Sequence, residues 1–418
     1  MEIFKNDRLG ESINFFEING LKVYVMEKKQ FSDISVSFVI KYGSNDVSFK
    51  LESEKNFKKY PLGIAHFLEH KMFDGNEKDE VFRKFSEIGA DVNAYTSSNI
   101  TNYYFSTVDN FEDSMSYLCD MIYGLKLNDE SIESEKLIIE QEIKMYDDDP
   151  YNKVYRNLLT TMYDDHPIRN DIAGDVNTIK LINKAHLQDC YDNFYVNNNM
   201  FLVLVGNVDV NEVKQILNKY IVNKNGKNVI REKFNGFNKI NKHYIEEKMG
   251  MSIPTNILGF KDSAEPENYI KKLIVFEMIH RLYFRATSNF YEKIYKEEII
   301  DGSYYTEYLN EFDYGHYLLV GDGEKFKKLP EMLLDYYSKY DFSKDKVAFE
   351  RIKKAMYGNY VNMFNSVDNI SHLMIKLIKN NANLFDYFDE LKNVTLDDVV
   401  YEFKNIFKES NMVYSKVF

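Results

Sequence analysis

Three observations in the 418-residue sequence predict an α+β fold of two duplicated domains, each a mostly antiparallel sheet packed with helices. The first is length, which exceeds what one hydrophobic core usually serves and suits two domains of about 200 residues each. The second is an internal repeat. HLQDCYDNFYVNNNMFLVLV (186–205) and TLDDVVYEFKNIFKESNMVYSKV (395–417) each place a Leu, an Asp two later, a Phe seven later and then Asn-Met opening an apolar run, at an offset of about 210 residues. The third is periodicity: alternating apolar and polar residues are interrupted by helical spacing, without the long βαβ succession of a parallel sheet.

The elements follow in order. LKVYVMEKKQFSDISVSFVIKYGS (21–44) alternates on both sides of a polar break and reads as two strands of an antiparallel sheet. GIAHFLEHKMFDG (63–75) is a helix, DVNAYTSSNITNYYFSTV (91–108) a strand pair, and EDSMSYLCDMIYGLKL (112–127) a helix. Residues 131–147 form a strongly charged helix that Pro150 helps to end. A helix near AHLQDCYDNFYV leads into the β-rich NMFLVLVGNVDV (199–210). NKNGKNVIREKFNGFNKINKH (223–243) lacks clean periodicity and reads as a linker, so the domains are placed at 1–222 and 244–418. Beyond it, strands are expected in 251–262 and 301–323, and helices in 265–298, 326–337 and 343–378.

Composition narrows the function. Hydrophobic residues are 44% and charged residues 28%, ordinary for a folded chain. Asp and Glu exceed Lys and Arg by 66 to 53, which argues against a nucleic-acid binder, since phosphate neutralisation needs the opposite excess. Only Cys119 and Cys190 are present, giving no disulfide framework and no thiolate metal knuckle. No apolar stretch approaches the roughly 18 residues that span a bilayer, and the N-terminal residues lack a signal core. The expected location is therefore the cytoplasm, with neither a membrane nor a nucleic acid as partner. The many Tyr and Phe read as core.

The chemistry concentrates in GIAHFLEHKMFDG. Positions i and i+4 share a helix face, so His66 and His70 can turn their rings to one ion, while Glu69 sits at i+3 beside it. With 8 histidines in the chain, a His-x-x-x-His pair is expected by chance about 0.15 times, and a Glu at one set position lowers that to about 0.01–0.02. His166, His186, His243, His280, His316 and His372 form no such pair and are read as structural. A catalytic zinc takes three protein ligands and water, so a third ligand must come from elsewhere. In the glutamate-rich helix, Glu135 and Glu142 lie seven residues apart and share a face, whereas Glu140 points away; Glu142 is taken as the ligand and Glu135 as a carboxylate that orients the site.

The order His-x-x-Glu-His reverses the common zinc-protease motif and marks the inverzincins. PLGIAHFLEHKMFDG, NAYTSSNITNYYFS and EKLIIEQEIKMYDDDP, in that order, resemble the family of pitrilysin, insulin-degrading enzyme and mitochondrial processing peptidase, in its bacterial two-domain branch. The resemblance implies one zinc per chain on His66, His70 and Glu142, Glu69 as general base and Glu135 assisting. It also implies that Asn93 and Ala94 lie on an edge strand that receives the peptide, and that the second half, lacking the motif, is a silent copy. The spacing of 72 residues from His70 to Glu142 is short for the best-known members. The expected activity is a zinc endopeptidase for short or unstructured peptides, working in a chamber closed by a homodimer or by a catalytically silent homologous chain. A dedicated maturation protease for a small ribosomally made peptide, or a non-catalytic core subunit, are the alternatives.

Overall fold

The computed structural model describes residues 2–74, 80–234, 240, 242–264 and 266–418. The first 231 residues supply β1 (Glu2–Asn6), β2 (Glu11–Ile18), β3 (Leu21–Glu27), β4 (Ile34–Ile40), β5 (Ser48–Leu51), β6 (Lys58–Lys59), β7 (Asp91–Thr96), β8 (Thr101–Thr107), β9 (Met200–Gly206) and β10 (Val229–Arg231). The remainder supplies β11 (Tyr244–Glu247), β12 (Thr255–Asp262), β13 (Tyr305–Asn310), β14 (Gly315–Asp322) and β15 (Met412–Val417). Helices framing the sheets include α1 (Ile64–Met72), α2 (Phe111–Tyr123), α3 (Asp129–Asp147), α4 (Pro150–Met162), α5 (Lys184–Phe194), α6 (Tyr269–Ile279), α7 (Val367–Lys379) and α8 (Leu396–Ile406).

The α+β class is borne out. One sheet runs β1-β2-β3-β9-β4-β8-β7 and another β11-β15-β12-β14-β13. Matched in chain order, β3, β4, β7, β8 and β9 of the first correspond to β11 through β15 of the second, in the same spatial order. Even the single parallel pair recurs, β3 with β9 and β11 with β15. The repeat seen in the sequence is the end of each copy: α5 and α8 each lead through a 3-10 turn, Asn197–Asn199 or Glu409–Asn411, into β9 or β15.

One local expectation is corrected and two are refined. Residues 21–44 give the two expected strands, which run antiparallel in one sheet with β9 between β3 and β4. Part of the expected linker is a strand: Val229–Arg231 pairs antiparallel with β5, where Arg231 Nε meets Asp46 at 2.5 Å. Pro150 not only follows α3 but opens α4, where its missing N–H is harmless and Asp149 caps Asn152 N.

Contacts divide the chain into two compact units that do not coincide with its halves. The first is Met1–Lys144, Asn170–Lys233 and Met363–Lys379; the second is Met145–Arg169, Phe234–Asn362 and Asn380–Phe418. Each unit thus contains a helix from the other half of the sequence. In the first, α7 turns Val367, Ile370, Met374 and Leu377 inward and lies on β4 and β9, both buried along their whole length. In the second, α4 sets Val154, Leu158 and Met162 among Ile257, Leu318 and Val413. A strand covered on both faces carries an apolar run instead of alternation, as FLVLV in β9 does.

Candidate metal centre

Helix α1 enters through a backbone seam. Gly63 has φ 83°, and a Cβ there would meet Ala173 O at 2.2 Å; at Gly174, φ 77°, it would meet Leu62 O at 2.6 Å. Two glycines are required because two chain segments touch through bare backbone in a left-handed conformation. Ile64, Ala65, Phe67, Leu68 and Met72 then bury one face of α1 in the core, which leaves His66, Glu69 and His70 together on the other. Helix α3 does the complementary thing. Ile132, Ile139 and Ile143 face inward, carrying Glu135 and Glu142 toward α1.

His66 Nε2 and His70 Nε2 each lie 3.6 Å from an oxygen of Glu142. One donor atom from each of the three residues falls within 4.8 Å of the others, the one such cluster among the described residues. Zinc bonds of about 2.0–2.2 Å at tetrahedral angles separate neighbouring donors by about 3.3–3.6 Å, so this donor set fits a zinc ion. Glu135 accepts from His70 Nδ1 at 2.8 Å, fixing which nitrogen turns to the centre. His66 Nδ1 has no hydrogen-bond partner among the described residues.

Charge follows the same division. Burial, with His70 beside it, pushes His66 down to about 3, so its ring is neutral and a lone pair is free. Burial also opposes charge on His70, but the hydrogen bond it donates to Glu135 and the carboxylates of Glu135, Glu142 and Glu69 outweigh it and raise its pKa. Burial raises Glu69 above the usual carboxylate range, against the pull of Thr96 and His70. Glu69 does not join the three-residue cluster; its Oε2 accepts the Thr96 hydroxyl at 2.5 Å.

Thr96 is the residue that sequence reasoning missed. Its signal was period two: it stands two residues after Ala94 and so on the same face of β7. Strand β7, which carries Asn93 and Ala94, is the edge of the seven-stranded sheet. Asn93 alternates to the opposite face from Thr96, and its Oδ1 accepts from Ala94 N at 2.8 Å.

Fold and site together define a duplicated α+β chain with a histidine–carboxylate centre beside a sheet edge. Residues 47–176 match the insulinase (peptidase family M16) domain, and residues 181–355 match the domain described as peptidase M16 inactive domain. The chain belongs to peptidase family M16. An uncharacterised zinc protease of Bacillus subtilis (strain 168), YmfH, is 33% identical over 391 residues, 91% of this chain and 90% of that protein. An M16-like peptidase from Alicyclobacillus acidocaldarius aligns with a TM-score of 0.90 at 29% identity over 98% of each chain. A protease from Helicobacter pylori shares the fold, with a TM-score of 0.81 at 18% identity over 97% of this chain and 99% of that one.

Proposed function

We propose that the chain is a zinc endopeptidase acting on short or unstructured peptides, with His66, His70 and Glu142 as ligands of one zinc. The observation that carries this is the convergence of both Nε2 atoms on Glu142 at 3.6 Å, while Glu69 stays out of the donor set. A bound zinc would polarise the scissile carbonyl and acidify water. Glu69, buried and therefore more basic than an ordinary carboxylate, takes the proton from the attacking water and passes it to the leaving amine. Thr96 holds one oxygen of Glu69 and so aims the other. Glu135 keeps the His70 ring oriented.

The peptide adds as a strand to the free edge of β7, with its main chain along Asn93 and Ala94 and its side chains alternating between the two faces. Since β7 ends at Thr96, a peptide on that edge runs up to the Glu69 carboxylate. The working particle is a dimer, of two such chains or of one with a silent homologue, in the cytoplasm. Among the described residues no helix is long and apolar enough to cross a membrane.

The test is metal analysis together with mass-spectrometric cleavage of a mixed peptide library by the wild type and by Glu69→Gln. The proposal expects one zinc in both proteins and cleavage by the wild type alone, a loss of at least about 100-fold. Hydrolysis retained by a pure Glu69→Gln sample would remove Glu69 from its role. A wild type that takes up no zinc would overturn the reading. Molar mass at equilibrium checks the dimer: an active monomer contradicts it.

A further inference from the structure

Lys71 follows directly on His70, and its side chain is fully buried. Its ammonium donates to Ser131 Oγ at 2.9 Å and contacts the Asp74 carboxylate. Ser131 lies in the first turn of α3, four residues before Glu135 and eleven before Glu142. Helix α3 is therefore fastened to α1 at successive turns, by Lys71 on Ser131 and by His70 on Glu135. One fastener leaves a helix free to pivot; two a turn apart set both its rotation and its translation. Each residue of slip along an α-helix moves a side chain by about 1.5 Å and turns it by about 100°. Glu142 has no such tolerance, since it must reach both imidazoles together.

Stability alone gives little reason for a lysine here. A buried ion pair replaced by an apolar side chain of similar volume is often no less stable, and a methionine would fill the same space. Nor would the partners be stranded. Asp74 is 31% exposed and can be hydrated, and Ser131 Oγ keeps Asn128 O at 3.4 Å. What the lysine adds is direction, a bond that exists in one register only.

We propose that Lys71 is a positioning residue that sets the register of α3 against α1 and thereby brings Glu142 to the metal. The proposal rests on the zinc reading for its consequence, but the register itself is a property of the chain without metal.

The test uses the full chain with Lys71→Met and, as a milder change, Ser131→Ala, which leaves Lys71 on Asp74. Zinc affinity is read by chelator competition, thermal unfolding on the metal-free chain, and hydrogen exchange over residues 131–142 also on the metal-free chain. Expected for Lys71→Met are zinc binding weaker by about 10–100-fold, faster exchange across α3 and a melting temperature unchanged or raised. Ser131→Ala should shift affinity and exchange in the same direction by less. Affinity and exchange indistinguishable from wild type in both variants would overturn the proposal, as would a fall in affinity that merely follows a fall in melting temperature. Should the wild type bind no zinc, the zinc reading fails by itself, and the exchange of α3 still decides whether Lys71 sets the register.

Discussion

The two sheets share a strand order, yet the same place in each holds different chemistry. In the first unit Thr96 closes the β7–β8 pairing opposite Thr101, and its hydroxyl serves Glu69 on α1. In the second, Asn310 closes the β13–β14 pairing opposite Gly315; it is 3% exposed, and neither atom of its amide has a hydrogen-bond partner among the described residues. Helix α6, the counterpart of α1, carries no histidine pair. It places Lys272 Nζ at 3.1 Å from Asp262, whose carboxylate also accepts from Tyr308 at 2.6 Å. Where one copy gathers histidines and carboxylates with room for a cation, the other has an ammonium of its own in the chain. A fixed cation offsets the charge of the buried carboxylate, so the second copy keeps buried polar groups at this place without a histidine pair.

The sharpest way to break this comparison is to remove a histidine from each copy. His70→Ala should abolish stoichiometric zinc and all hydrolysis, whereas His280→Ala, on the residue following α6, should leave the zinc content unchanged; metal analysis of both proteins decides. Next in size is the lysine of the second copy. Lys272→Met strands Asp262, only 7% exposed, and should cost about 3–5 kcal/mol in urea unfolding without loss of zinc. The opposite outcome expected for Lys71 follows from the 31% exposure of its own partner, Asp74.

A smaller contrast lies at the closing residues of the two hairpins. Thr96→Val should lower kcat/KM about 10-fold or more, because a charged hydrogen bond to Glu69 is lost. Asn310→Val replaces an amide that has no hydrogen-bond partner among the described residues and should raise unfolding stability by about 1 kcal/mol. Equal effects of the two on activity would sink the assignment of Thr96.

A further contrast is a pH dependence of the second unit. Tyr163 donates to Gly315 O at 2.9 Å, so His316 Nδ1 donates to Tyr163 and Nε2 accepts from Tyr155 at 3.2 Å, the neutral ring. Burial pushes His316 from 6.5 down to about 3. The unfolded chain therefore binds the proton first as pH falls, and the contribution of this residue is present above about pH 6.5 and lost below it. Urea midpoints for the metal-free chain should drop between about pH 7 and pH 5, and His316→Asn should flatten that slope.

Much of the fold and site was legible in the sequence because it is written in local periods. The i, i+4 histidines with Glu69, the seven-residue step from Glu135 to Glu142 and the repeated Leu, Asp, Phe, Asn-Met pattern need no long-range knowledge, and each leads to the geometry found. Residues 229–231 and the Pro150 turn were less legible, since a short strand is defined by its partner β5 and a proline after one helix equally begins another.

The sequence by itself determined the class of fold and which histidines and carboxylates stand on a common helix face, because helical and strand spacing decide which side chains share a face. Only the tertiary structure decided that β9 parts β3 from β4, that α4 and α7 each pack in the unit of the other half, that Thr96 meets Glu69 and that Lys71 reaches Ser131. These are contacts between residues 27 to hundreds of positions apart, and nothing in a local period carries them. They are settled by which apolar faces must be covered together and by where buried polar groups find their partners.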